Sequence, residues 1–311
     1  MLKYGQKTFF GDTQMFLVFK QLFILYIFLF AGWVIGKRKK AVSGEILSVL
    51  IVNLLLPCKI FNTFANNFTV ADFKEKYIFL PVSAVLLLIL VIAAYFASKL
   101  ITKHPYERKV YRYSFAISNY AYLGYALIEG VFGEEMLSNF IFFAIPFIIY
   151  TYTAGYAMLT GGKKPLKRLL NPITIAIVLG MICGMTSVKI PDVISSVTSM
   201  ASACVGPLSM LLTGITLAAF SLKELFKNKQ AYIFCAIRLV LFPAVAYGVC
   251  TLFGLDALLP FILIITVMPC GLNTIVFPKL VGEDCKPGAR LALISHLLSL
   301  VTLPLWLSLI L

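Results

Sequence analysis

Apolar residues run along this chain in long blocks, and polar residues are confined to short connections between them. Ten blocks can be marked, at roughly 15–36, 44–65, 77–100, 111–132, 137–160, 172–188, 193–220, 230–253, 257–281 and 289–311. Each is near the roughly 20 residues that an α-helix needs to cross a hydrocarbon core. None shows the short alternating segments that a membrane-spanning barrel requires. The pattern predicts an all-α polytopic membrane protein with ten transmembrane helices. The first block is too long for a removable leader and lacks a small-residue cleavage site, so it is expected to remain as a span. The longest polar connection, at about 161–171, is only a tether, and function is therefore expected within the membrane.

Composition agrees with this reading. Of 311 residues, 60% are hydrophobic and 13% charged, against about 25% charged in soluble chains. The net charge of +14 raises the question of nucleic acid, but the 27 Lys and Arg residues do not line amphipathic helices. They cluster between blocks, as in Lys37-Arg38-Lys39-Lys40 and Lys163-Lys164-Pro165-Leu166-Lys167-Arg168. Connections near 37–40, 99–112, 163–168, 223–229 and 279–290 hold 19 of the 27, and the alternate connections are neutral, mixed or acidic. Basic loops stay on the cytoplasmic side, which argues against nucleic acid. It predicts a multi-pass protein of the cell membrane with both termini extracytoplasmic. The seven cysteines include no C-x-x-C pair and read as small packing residues. No metal site or cofactor is expected.

The chain also repeats itself. Val131-Phe132-Gly133-Glu134-Glu135 recurs as Leu280-Val281-Gly282-Glu283-Asp284, an offset of 149 residues. At nearly the same offset Pro57 pairs with Pro207, and Asn119 to Gly124 align with Met268 to Asn273. This divides the chain into two five-span repeats, residues 1–160 and 161–311. Five is odd, so the second copy enters the membrane from the opposite side. Inverted repeats of this kind are typical of alternating-access carriers.

Two spans carry groups that disrupt helix. Span 9 reads Met268-Pro269-Cys270-Gly271-Leu272-Asn273. Pro269 removes a helical hydrogen bond, Gly271 permits unusual backbone angles, and Asn273 adds a donor and an acceptor at mid-membrane depth. A half-helix starting there would present N–H groups to an anion; a packing kink is the plainer alternative. Span 4 carries Asn119, Tyr122, Gly124 and Tyr125 without a proline. Packing or a binding site accounts for it about equally.

Taken in order, Asn119, Leu123-Gly124, Phe132-Gly133, Asn171-Pro172, Pro269, Asn273 and Gly282-Glu283-Asp284, with Leu56-Pro57, resemble the auxin efflux carrier family in its short prokaryotic form. The resemblance covers essentially the whole chain. It implies a fold similar to the bile acid/sodium symporters, with scaffold and transport subdomains each drawn from both repeats and with broken helices 4 and 9 crossing. It further implies small organic anions as cargo, such as dicarboxylates or auxin-like weak acids, and a homodimer as an option. Where the family has N-x-G-x-x-G-x-P in span 4, this chain has Ala121 and Ala126 for the Gly and Pro.

Ionisable residues inside spans are costly and are functional candidates by default. Lys59 and Arg238 could attract a carboxylate, or could pair with backbone carbonyls or headgroups. Lys20 and Glu129 lie near span ends, within snorkelling reach. His296 could couple transport to H+, or could be a hydrogen-bonded core residue. Na+ coupling of the bile acid type would have to use carbonyls, hydroxyls and amides, since no Asp or Glu lies near mid-span. A membrane enzyme would need a nucleophile with its base, or paired ligands, and none is found. A substrate-sensing receptor on the same fold and a gated channel are the remaining alternatives to a carrier.

Overall fold

The computed structural model describes residues 10–39, 44–162 and 169–310, so Lys40 and the basic cluster 163–168 lie outside the described residues. Among these, regular structure is helical apart from one isolated β-bridge. The helices are α1 (Phe10–Arg38), α2 (Gly44–Asn67), α3 (Val70–Lys76), α4 (Phe79–Ile101), α5 (Pro105–Ala116), α6 (Tyr120–Phe143) and α7 (Ile145–Thr160). They continue with α8 (Pro172–Thr186), α9 (Asp192–Ala218), α10 (Leu222–Phe226), α11 (Lys229–Leu252), α12 (Leu259–Val267), α13 (Asn273–Lys279) and α14 (Lys286–Leu307).

Among the described residues, six helices are long and apolar enough to cross a membrane individually: α1, α2, α4, α9, α11 and α14. Counting α6 and α7 as one span, bent by 55°, gives a seventh. At 15 residues α8 is shorter, and the blocks expected at 111–132 and 257–281 are each divided in two. The outer faces are apolar. α1 exposes Phe16, Phe19, Phe23, Ile27 and Phe30, and α4 exposes Val85, Leu88, Ile89, Ile92 and Phe96. In water such ridges would aggregate; against lipid tails they are solvated. The chain is a polytopic membrane protein.

Proline shapes the spans locally. Pro57 and Pro243 each follow a π turn, at Ile51–Leu55 in α2 and Ile237–Leu241 in α11. A proline ring clashes with the carbonyl four residues back, and the wider turn relieves that contact. Glycine has a different use at Gly133 and Gly282, where φ is +85° and +73°. The two repeated G-E-E and G-E-D segments thus share a left-handed glycine that other residues rarely adopt.

Helices pack as two groups. α1 lies along α9, and α2 lies against both α8 and α9. The backbones approach closely because small residues sit at the contacts. A methyl group built on Gly214 would overlap the Leu29 carbonyl oxygen, and one on Gly32 would overlap that of Leu211. Gly180 and Gly184 of α8 meet Phe61, Phe64 and Phe68 of α2 in the same way. Lipid tails are as apolar as leucine, so helices in a bilayer associate through such close packing. In the second group α4 packs on α5 and α7, α11 on α12, and α14 on α11 and α12. α6 touches both groups.

Gly214→Val and Gly32→Val are each expected to lower stability by roughly 1–3 kcal/mol or more through overpacking. Gly248→Ala, whose added carbon meets nothing within 4 Å, should be neutral or stabilising by up to about 1 kcal/mol. Melting midpoints of the purified variants in detergent check the contrast.

Candidate functional site

The two divided spans meet at their interruptions. α5 ends at Ala116, Ile117 is extended (φ −117°, ψ 119°), and helix resumes at Tyr120. α12 ends at Val267, Met268 is extended (φ −64°, ψ 143°), and α13 starts at Asn273. Ser118 and Cys270 form an antiparallel bridge, and the Asn119 N–H donates to the Pro269 carbonyl at 2.8 Å. The Cys270 N–H donates to Ser295 Oγ at 3.0 Å. Each broken segment therefore satisfies backbone groups that the other leaves open, as a low-dielectric interior demands. A Cβ at Gly271 would lie 3.2 Å from the Ser118 carbonyl oxygen, so a side chain there would crowd the crossing.

Arg238 closes the end of α12. Fully buried, it donates to the Thr266 carbonyl at 2.6 Å and to the Ile265 carbonyl at 2.8 Å. The last carbonyls of a helix lack internal partners and carry the negative end of its dipole, and a guanidinium fork answers both needs. Lys59 is likewise engaged. Its ammonium lies 2.7 Å from the Glu129 carboxylate and 3.4 Å from Ser202 Oγ, tying α2 to α6 and α9.

At the crossing lies a cavity of about 20 Å³, lined by Ser118, Asn119, Tyr122, Tyr125, Gly271 and Asn273, with Thr151 and Tyr152 of α7 opposite. It has room for about one water molecule. Four of its buried polar atoms have no hydrogen-bond partner: Ser118 Oγ, Asn119 Oδ1, Tyr122 OH and Asn273 Oδ1. Each such atom costs about 1–3 kcal/mol when left unpaired, and all four belong to residues that line this one cavity. The other amide atoms are occupied. Asn273 Nδ2 donates to the Tyr113 hydroxyl at 3.0 Å, and Asn119 Nδ2 lies 3.0 Å from His296 Nε2.

Of the residues singled out in the sequence, Asn119, Tyr122, Tyr125, Gly271 and Asn273 line this cavity. Gly124 lies in the π turn that opens α6, Pro269 supplies the bridging carbonyl, and His296 stands directly behind Asn119. Lys59 and Arg238 face other partners. Sequence reasoning passed over Ser118, Tyr113, Thr151, Tyr152 and Ser295. For the α7 pair a signal existed, since Tyr150-Thr151-Tyr152-Thr153 places four hydroxyls in mid-block. A second cavity, about 400 Å³, lies between α2, α9 and α13 and is lined in part by Glu45, Asn53, Thr216 and Lys279.

Two segments of the chain, residues 17–167 and 157–307, each match the family described as membrane transport protein. The chain is also similar to a protein named an uncharacterized transporter from Methanocaldococcus jannaschii. The two are 28% identical over 284 residues, which cover 86% of this chain and 90% of that relative.

Arg238→Met leaves two carbonyls at the end of α12 without their donor and is expected to cost roughly 2–6 kcal/mol, at about 1–3 for each unsatisfied group. Arg238→Lys should recover only part of this, because an ammonium cannot reproduce the planar fork. Thermal melts of the two variants in one detergent rank them.

Proposed function

The chain belongs to the membrane transport protein family, as a transporter and not an enzyme, and from that premise we propose that it carries a small organic anion across the cell membrane by alternating access. At the level of family, the motif resemblance to the auxin efflux carriers is borne out. The cargo is a carboxylate of the dicarboxylate or auxin-like class, and it binds where α5–α6 crosses α12–α13. One observation carries this reading: two interrupted helices cross beside a cavity that gathers four unpartnered polar atoms, two of them the amide oxygens of Asn119 and Asn273.

In this proposal the polypeptide has ten spans in two inverted repeats of five, with both termini extracytoplasmic. The paired left-handed glycines Gly133 and Gly282 support the repeat. α1, α2, α8 and α9 act as the scaffold, and the remaining helices move against it around the crossing. The large cavity then lies on the cytoplasmic side, with Lys279 at its wall to attract an anion. The Lys59–Glu129 pair joins scaffold to moving body on the other side and holds it shut.

The test is Asn273→Ala in proteoliposomes, assayed with labelled malonate and indole-3-acetate. Losing one hydrogen bond to a charged group predicts a fall in uptake of roughly tenfold or more, with an unchanged elution profile and melting midpoint. Transport at the wild-type rate by a folded Asn273→Ala protein would remove the crossing as the binding site.

A further inference from the structure

The ring of His296 has a defined hydrogen-bonding state. Its Nδ1 lies 2.7 Å from the Ala292 carbonyl oxygen, which can only accept, so Nδ1 carries a proton. With the ring neutral, its Nε2 offers a lone pair and accepts from the Asn119 amide nitrogen 3.0 Å away. That contact fixes the Asn119 amide. Its NH2 is turned to the histidine, and its Oδ1 is left without a partner beside the cavity. Asn119 and His296 are each only 1% exposed, so bulk water does not reach the arrangement.

An amide oxygen aimed into the cavity repels a carboxylate. Asn273 is under no such constraint, because its partner Tyr113 bears a hydroxyl that can donate as well as accept, so either face of the amide can meet it. Asn119 has no such freedom while His296 is neutral. Moving the ring proton from Nδ1 to Nε2 does not help, since it would set a bare nitrogen against the Ala292 oxygen. Only a second proton on the ring makes Nε2 a donor.

We propose that His296 and Asn119 form a proton-operated switch through which the carrier takes up one proton with each carboxylate. A proton from solution binds Nε2, and the Asn119 amide turns over so that Oδ1 accepts the new N–H. Nδ2 then points into the cavity, where it donates to the carboxylate. The imidazolium balances the charge of the anion, and loss of either partner releases the other. This rests on the reading of the crossing as the anion site, and adds the coupling ion and its residue.

The surrounding ionisable groups leave the ring free to respond. α1 contributes Tyr26, whose hydroxyl donates to the His296 main-chain oxygen at 2.7 Å and not to the ring. The crossing contributes Cys270, whose N–H is held by Ser295, and Tyr122. α11 contributes Arg238, fixed on the carbonyls of α12, and the Lys59 ammonium of α2 is paired with Glu129 of α6. α9 carries no ionisable group beyond Asp192 at its start and the exposed Cys204. Glu107 of α5 and Glu224 of α10 face Arg290 and Lys286, roughly 9 Å or more along α14 from the ring. Among the described residues no carboxylate or cation forms an ion pair with His296.

The experiment measures binding of indole-3-acetate, whose carboxyl stays ionised throughout, to the purified full chain between pH 8 and pH 6. One coupled proton predicts an association constant rising about tenfold per unit fall in pH, with one proton taken up per anion, read by an indicator dye in weak buffer. In His296→Gln the terminal amide can donate or accept without a proton, so binding should persist without pH dependence and without proton uptake. Binding by the wild type that is flat with pH, or pH dependence retained in a folded His296→Gln protein, overturns the switch while leaving the anion site standing. Absence of binding to the wild type at every pH overturns the anion site, and the switch with it.

Discussion

Every backbone N–H and C=O inside a bilayer needs a partner from the protein itself, and this constraint governs the arrangement of the chain. An unbroken helix meets it alone. An interrupted helix cannot, and the interruptions after α5 and α12 meet it together. The bridge between Ser118 and Cys270, and the bond from Asn119 to Pro269, join the two breaks. The remaining loose ends are gathered by single side chains: Ser295 takes one N–H, and Arg238 takes two carbonyls. A buried arginine is costly by itself, and its position makes sense only because α12 stops where it does.

What the backbone settles, the side chains leave open. Around the crossing, four polar atoms are buried without partners beside one cavity, whereas hydroxyls such as those of Thr213 and Thr251 bond back to their own helix. α6, which opens at the crossing, touches both the glycine-sealed group of helices and the second group. A carrier needs this combination: firm packing on either side of a seam, and an unfinished polar site at it. The Lys59–Glu129 pair joins α2 to α6 across the same seam.

Much of this was legible in the sequence, and what was missed has a physical cause. Long apolar blocks announced membrane helices directly. The break in the second half was legible too, since Pro269 and Gly271 are local causes. The break in the first half has no local cause: Ala121 and Ala126 stand where the family has Gly and Pro, yet α5 still ends at Ala116. Its cause is the partner segment more than 140 residues away, which periodicity and propensity cannot register. Lys59 and Arg238 follow the same rule. Their depth marked them as notable, but their partners lie on other helices. A sequence shows the charges of Lys59 and Arg238 without showing the carboxylate or carbonyls that already hold them. Tyr113, on the half-helix before the break, became visible as a functional neighbour only once Asn273 was placed beside it.

The central claim is that two interrupted helices cross at Ser118 and Cys270, and the most direct measurement is a disulfide between them. With Cys58, Cys183, Cys204, Cys235, Cys250 and Cys285 replaced and Cys270 kept, Ser118→Cys should cross-link to it in native membranes under a membrane-permeant oxidant. Facing residues of an antiparallel bridge lie within the roughly 4.4–6.8 Å Cα separation that disulfides span. The account predicts an intramolecular 118–270 link, identified as a joined peptide by mass spectrometry, and none from a Ser83→Cys control. A folded Ser118→Cys protein that links no better than that control would contradict the crossing.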